Sequence, residues 1–589
     1  MLPQFDANTN APEPAKADFI AEEEGSMTAL ALLLFICMVI IGGISIDIMV
    51  FENNRTRLQN LSDRAALAAA DLDQELPAAQ VVASYFEKEG LGEFLRDVQV
   101  IEDINQRSVR IETEKVQRTM FLNFWNHTGI DTLTPRSVSA ATEARTDLEI
   151  SLVLDVSNSM NWASSAPGST SKIDDLKNAA KRFVDKVYTS GDPERITMSL
   201  VPYSTHVNAG PIIQQELGVT ARHNYSNCLA FQNADFGETE IRGGNAYMHT
   251  MHFDQWYFDQ SPQLYVCRPE PNQIVKPILS DPVEIKDQID ALVANGNTSI
   301  EIGLKWGAAF LDPSARRITQ ALADNGLVDD AYRDRPYDWD RPNTEKFVIV
   351  LTDGVNTEQQ EINPAYASGP SGVWRWVPNP LIAMPFYSWN TPEVGDQDGD
   401  GIANERYWTP GFTIPTSVSG LSSNVVIARS WTNDPVGQNL SQLTLSGGTA
   451  ASRATLKAAL IAALTPINQS PVQVDYANLW NEMSVRHFAW YYVRTRNNNS
   501  NMAMNNFYNA VWTGVGGPLK DSRLLNLCNQ VRDMGATIFT IGFEVTDHSA
   551  NVMGQCASTP NYFIRVVGDD LEAAFDQIAN TISKLRLTQ

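Results

Sequence analysis

An unbroken apolar run stands near the start of the chain: from Met27 to Ile46 no charged residue appears, and with its continuation to Val50 it is long enough to cross a bilayer as one helix. The run is too long for the core of a signal peptide and lacks a basic leader, so it reads as an uncleaved anchor. No other stretch is long enough to span. From Glu52 to Gln74 the pattern changes to a stripe of Leu58, Leu61, Ala65, Leu67 and Ala68 with charges between, predicting a helix that leaves the membrane and ends at Pro77. Residues 78–147 carry a short helical segment (Ala78–Glu89) and alternating segments at Val98–Ile104, Ser108–Glu114 and Arg136–Ala144. These predict a small α+β unit with an antiparallel sheet.

From Leu148 onward, fully apolar segments alternate with amphipathic helices, the pattern of a parallel sheet covered on both faces. The strands expected are 148–155, Arg195–Tyr203, Lys346–Thr352, Ala536–Phe543 and an edge-like Tyr562–Val567. Lys172–Tyr188 places Ile173, Leu176, Ala180, Phe183, Val184 and Val187 on one helical face, and a closing helix carries Leu571, Phe575, Ile578, Ile582 and Leu585. The fold class expected is α/β: a doubly wound, mostly parallel sheet with its site at the carboxyl ends of the strands. Two stretches rich in Asn, Pro, Trp and Tyr, His206–Ser280 and Glu358–Lys520, read as insertions, and the Asn-rich run Arg496–Asn506 as a mobile surface loop. The domain plan is therefore a tail (1–26), a span (27–50), a helix with a small α+β region (51–147) and an α/β domain (148–589).

Charge narrows the partners. Among 589 residues, 44 Lys and Arg face 69 Asp and Glu, a net charge of −25 that would repel nucleic acid. Orientation draws on two opposed signals. Arg55, Arg57 and Arg64 follow the span while Asp18, Glu22, Glu23 and Glu24 precede it, which by the positive-inside rule alone puts the bulk in the cytoplasm. Against this, Cys37 lies in the span and leaves four cysteines, an even number suited to an oxidising compartment. Local pairs Cys228–Cys267 and Cys528–Cys556 are plausible, although four cysteines allow three connectivities.

The chemistry gathers where strands end. Asp155, Ser157 and Ser159 follow the first α/β strand, Thr298 lies in the turn 295–299, and Asp353 closes the strand ending at Thr352. Hydroxyls at alternate positions with carboxylates form an all-oxygen set suited to a hard divalent ion, Mg²⁺ first and Mn²⁺ as the alternative. In this order and context the residues resemble the von Willebrand factor A domain, whose metal-ion-dependent adhesion site is a DxSxS loop with a Thr and an Asp from two later loops. The resemblance implies that a protein partner completes the coordination with an Asp or Glu. A second resemblance covers GSMTALALLL through LQNLSDRAALAAA, together with the end of the chain (Cys528, GATIFTIGFEV, Cys556, KLRL). Both are similar to TadE/TadG-like proteins of Flp pilus assembly. That implies a bacterial inner-membrane anchor with its bulk in the periplasm, although the acidic leader departs from the basic one expected of such proteins.

Asp396, Asp398, Asp400, Ile402, Asn404 and Glu405 have the spacing of a calcium loop, but position 12 is Tyr407 where the bidentate Glu belongs. His249 and His252 have zinc-like spacing without further ligands. No nucleophile elbow, phosphate loop or HExxH motif occurs, so catalysis has no identifiable base. The expectation is a membrane-anchored, metal-dependent protein-binding component of Flp/Tad-type pilus assembly and not an enzyme. A calcium-dependent surface adhesin is the alternative, followed by a metal-dependent hydrolase.

Overall fold

The computed structural model describes residues 23–103, 106–123, 129–190, 192–377, 385–395, 405–414, 424–435, 444–445, 449–464 and 470–588. They form two compact units, residues 1–145 and 146–589.

The first unit is built on one long helix, α1 (Glu23–Ala70). It contains the one described helix long and apolar enough to cross a membrane. Its later half buries Leu58, Leu61, Ala65, Ala66 and Ala69. Against these pack α2 (Ala78–Lys88) and an antiparallel sheet of β1 (Leu95–Asp103), β2 (Gln106–Glu114) and, beyond a small hairpin of β3 (Gln117–Arg118) and β4 (Thr132–Leu133), β5 (Arg136–Ala144). Alanines at three of those five positions keep the helix surface low, so the sheet can approach closely. The helix differs from the sequence pattern in two places. Leu67 is exposed, because at 100° per residue it points away from the line through Leu61, Ala65 and Ala69. The helix also stops at Ala70 rather than Gln74, where the Asp71 carboxylate accepts the Asp73 amide at 2.9 Å and turns the chain.

The second unit is built on a six-stranded sheet. Its strands are β6 (Asp147–Asp155), β7 (Ile196–Tyr203), β8 (Lys276–Leu279), β9 (Thr344–Thr352), β10 (Thr537–Phe543) and β11 (Phe563–Val566), in the order β8-β7-β6-β9-β10-β11. All neighbours run parallel except β8, which is antiparallel to β7. Alternate side chains serve opposite cores. Ile150, Leu152 and Leu154 pack with Phe183 of α3 (Lys172–Ser190), while Val153, Val348 and Val350 pack with Trp306 on the other face. This two-sided burial is why the strands carry no polar alternation.

The expected insertions have different limits and a core of their own. Residues 276–279, assigned from sequence to the first insertion, are the edge strand β8, a four-residue strand too short to announce itself. Phe253 and Val266 of the first insertion pack with Val373, Tyr387, Trp480 and Phe488 of the second. Thus two segments far apart in sequence share one apolar centre. The second insertion adds a five-stranded antiparallel sheet. The expectation of a mobile loop at Arg496–Asn506 is overturned. Helical turns run up to it, Asn498 and Asn499 adopt left-handed φ of 51° and 61°, and Ser500 caps the helix Asn501–Val511. Asparagine is there for its tolerance of that backbone geometry, not for flexibility.

Cys228 is bonded to Cys267, and Cys528 to Cys556. Beside the first bridge, His223, His249 and His252 form a buried aromatic group, with the His223 and His249 ring centres 4.1 Å apart. His249 spends both nitrogens on the main chain, accepting from the Arg222 amide at 3.1 Å and facing the Ser226 carbonyl at 2.7 Å. A structural role therefore replaces the zinc reading of its spacing. Burial, reinforced by the neighbouring imidazoles, lowers His223 to about 4 and His252 to about 3. These rings are neutral when folded but take up protons near 6.5 when unfolded, so the unfolded chain binds more protons and acid weakens the fold. Stability should fall as pH drops from about 6.5 to 4, by about 3 kcal/mol for each of the two rings. Thermal melts across that range should show the fall shrinking in a His223→Gln/His252→Gln variant; equal slopes in the two proteins would refute it.

Candidate metal centre

Three loops meet at the carboxyl ends of the central strands β6 and β9. The first begins with Asp155, the last residue of β6, whose carboxylate accepts the Ser157 amide at 2.8 Å and the Thr352 hydroxyl at 2.8 Å. Ser157 Oγ lies 3.1 Å from Ser159 Oγ, and the Ser159 hydroxyl donates to Asp353 Oδ1 at 2.6 Å. Asp155, Ser157, Ser159 and Asp353 thus form one hydrogen-bonded chain. Neighbouring strands in parallel register, with Leu351 opposite Leu154, bring the residues that follow them side by side.

Thr298 arrives through its backbone. The Asn158 amide donates to the Gly296 carbonyl at 2.9 Å and the Asn295 amide to the Val156 carbonyl at 2.8 Å, so the 295–298 turn is tied to the DxSxS loop. Gly296 is required in that turn: its φ is +92°, and a Cβ there would press on the Thr205 hydroxyl at 3.1 Å. Thr298 is buried and lies just before the helix Ile300–Ala309.

Burial and the neighbouring Asp353 carboxylate push the Asp155 carboxyl well above the usual carboxylate range. A cation would relieve that repulsion. One is already present: Lys172, at the start of α3, places Nζ 3.0 Å from Asp353 Oδ2 and 3.6 Å from Glu544 Oε2. Glu544 follows β10 with φ of 54°, and its carboxylate is held by the Ser165 amide at 2.6 Å. Three acidic groups (Asp155, Asp353, Glu544) gather around the Lys172 ammonium, so negative charge is in excess at the strand ends. Among the described residues no group of three or more His, Cys, Asp or Glu side chains is placed to hold a metal. The donors here are instead hydroxyls and two carboxylates, a set that fits a hard oxygen-seeking cation and not zinc.

Lys172 and Glu544 carried no signal as members of the site. Lys172 reads as a helix start, and Glu544 shows itself only as a carboxylate following the strand beside β9. In the folded protein Lys172→Met should tighten Mn²⁺ binding on the order of tenfold, by removing a competing charge beside Asp353. Titration calorimetry showing unchanged or weaker binding would reject competition between the lysine and the ion.

Behind the turn lies a second ionic element absent from the sequence reading. Lys520, in the helix Gly517–Asp533, is fully buried. Its ammonium donates to the Thr298 carbonyl at 2.7 Å, the Thr357 carbonyl at 2.8 Å and the Ser299 hydroxyl at 2.7 Å. Glu301, also fully buried, lies 3.8 Å away. Burial lowers the Lys520 amine to about 8 and raises the Glu301 carboxyl. The calcium-loop candidates Asp396, Asp398, Asp400, Ile402 and Asn404 lie outside the described residues; Glu405 begins a strand of the inserted sheet.

Comparison with known proteins bears on both units. Residues 25–72 match the family model described as putative Flp pilus-assembly TadE/G-like. Among solved structures, the vWF domain of the type V pili tip protein Mfa5 from Porphyromonas gingivalis is 16% identical, with 75% of this chain and 96% of that one covered and a TM-score of 0.29. The pilus adhesin SpaC from Lactobacillus rhamnosus GG is 12% identical over 83% of this chain and 34% of its own, with a TM-score of 0.26. The adhesive tip pilin GBS104 from Group B Streptococcus agalactiae is 12% identical over 74% of this chain and 100% of its own, with a TM-score of 0.27. No curated protein sequence matches.

Proposed function

We propose that this chain is a membrane-anchored binding component of Flp/Tad-type pilus assembly, with a von Willebrand factor A-like, doubly wound domain that holds a divalent cation and engages an acidic protein partner. The observation that carries the reading is the hydrogen-bonded chain Asp155–Ser157–Ser159–Asp353, closed by the Thr298 turn, at the carboxyl ends of parallel strands. Asp155, Ser157, Ser159, Thr298 and Asp353 would hold the ion, Mg²⁺ or Mn²⁺. When bound, it supplies a Lewis-acid position for a carboxylate oxygen.

The chain's own residues supply the rest of the surface. Trp162, three residues beyond Ser159, is 63% exposed beside the site and anchored by its amide on the Ser159 carbonyl at 3.0 Å. A large exposed aromatic next to a charged centre has the composition of a binding hot spot. The match of residues 25–72 to the TadE/G-like model supports the pathway, and the two disulfides support a periplasmic bulk beneath a single inner-membrane span. The role is binding: the site offers oxygen donors and charge to an ion and, through it, to a partner's carboxylate.

Affinity capture from solubilised membranes tests the reading. The full chain in Mg²⁺ should retain a pilus-assembly protein that is lost on chelation and with Trp162→Ala. Retention that ignores both the ion and Trp162 would contradict it.

A further inference from the structure

The hairpin β3–β4 runs down the side of α1 toward the apolar run. Near its top, Lys115 Nζ donates to Asn54 Oδ1 at 3.0 Å and Asn54 Nδ2 to Gln117 Oε1 at 2.6 Å. Lower down, the Asp47 carboxylate accepts three successive amides, Met120 at 3.0 Å and Phe121 and Leu122 at 2.8 Å each. Lower still, the Phe121 ring lies on Gly43, where a Cβ would meet it at 2.5 Å. From Asn54 to Gly43 the hairpin follows the helix axis for about 16 Å.

That descent carries it to the membrane boundary. Met27 to Ile46, at 1.5 Å per residue, matches a hydrocarbon thickness of about 30 Å, and Gly43 lies about 6 Å on the lipid side of Asp47. Polar groups at this depth need partners, and here they satisfy each other. The three amides neutralise the cost of placing Asp47, which is 2% exposed, at the end of an apolar run. At Met120, Phe121 and Leu122 these bonds use the backbone amides, and the three side chains are apolar. Met120 is 77% exposed, and Phe121, Val116 and Ile130 are exposed with it, beside a helix whose own apolar run is exposed. An exposed cation, Arg118, lies two residues above Met120, at the height of lipid phosphates.

We propose that the Met120–Leu122 turn is a second membrane contact, seated in the bilayer interface beside α1, so that the first unit is held against the membrane at a fixed depth and rotation. A lone helix can tilt and turn freely; a side contact locked to Gly43 and Asp47 removes that freedom. The proposal rests on α1 crossing a bilayer.

Full-length protein in phosphatidylcholine nanodiscs provides the test, with an environment-sensitive fluorophore placed on single cysteines. Native Cys37 reports on the span. Met120→Cys and Ile101→Cys, both in a Cys37→Ser background, report on the turn and on an exposed site at the far, Asp71 end of the same unit. The Met120 probe should emit at shorter wavelength than the Ile101 probe, lose most of its emission to lipids spin-labelled near the headgroup, and resist iodide. Adding Asp47→Ala should return it to iodide-accessible behaviour. A Met120 probe that behaves like Ile101 while Cys37 is quenched by deep lipid labels would overturn the second contact and leave the span intact. Protection from both quenchers would mean that protein covers the turn, which also overturns it. If Cys37 escapes the deep labels, the span itself fails and the contact with it.

Discussion

Asp155→Ala should lower affinity for Mg²⁺ and Mn²⁺ by at least about two orders of magnitude, more than the 10–100-fold typical of losing a group that merely supports a ligand. The fold should survive. Asp155 is buried beside Asp353, and burial with like-charge repulsion raises its carboxyl, so in the absence of a cation its charge opposes folding. The folded carboxyl keeps its proton to higher pH than the unfolded one, so the cation-free native state binds more protons and loses stability as pH rises above the ordinary carboxylate range. Asp155→Asn removes that loss and should melt no lower than the wild type at neutral pH when both are free of metal. Added Mg²⁺ should raise the wild-type melting temperature and leave the variant's unchanged. A variant that still binds the ion with wild-type affinity, or that unfolds, would show that the carboxylate serves the fold and not the cation.

Lys520→Met should have the largest effect on stability, about 3–5 kcal/mol, because it strands a fully buried carboxylate. Glu301 has no hydrogen-bond partner for either carboxylate oxygen, so the Lys520 charge at 3.8 Å is its main compensation. The Thr298 and Thr357 carbonyls would lose their donor in the same step, loosening the turn that carries one of the five site residues. Lys520→Met/Glu301→Leu should recover most of the loss, since removing both charges costs far less than removing one. Denaturant titration of the two single variants and the double variant decides this, and strictly additive losses would count against a coupled pair. The arrangement also gives the second insertion a physical link to the site, because Lys520 stands where that insertion rejoins the sheet.

How much of this was legible in the sequence follows from the range of the interactions. The strands of the central sheet and α3 write themselves as uninterrupted apolar segments and a one-sided stripe, because both sheet faces are buried. The DxSxS loop and the residues at 298 and 353 are recognisable by type and order, each directly after a strand or before a helix. Lys172, Glu544, Lys520 and Glu301 are not, since each matters only through a partner at least 180 residues away or on a different element. The edge strand β8 escaped because four residues carry no periodicity. The Asn-rich turn misled because the backbone uses asparagine for its left-handed φ, which composition cannot distinguish from disorder. The membrane-facing turn at Met120 escaped for a similar reason: its meaning comes from Gly43 and Asp47, more than 70 residues earlier.

The central claim is that three loops share one cation, and a crystal soaked in Mn²⁺ tests it most directly. Anomalous scattering should place a single ion about 2.0–2.2 Å from hydroxyl oxygens of Ser157 and Ser159, with Asp155, Thr298 and Asp353 around it directly or through water. An ion bound elsewhere, or none at saturating Mn²⁺ while Lys172 remains on Asp353, would contradict the account.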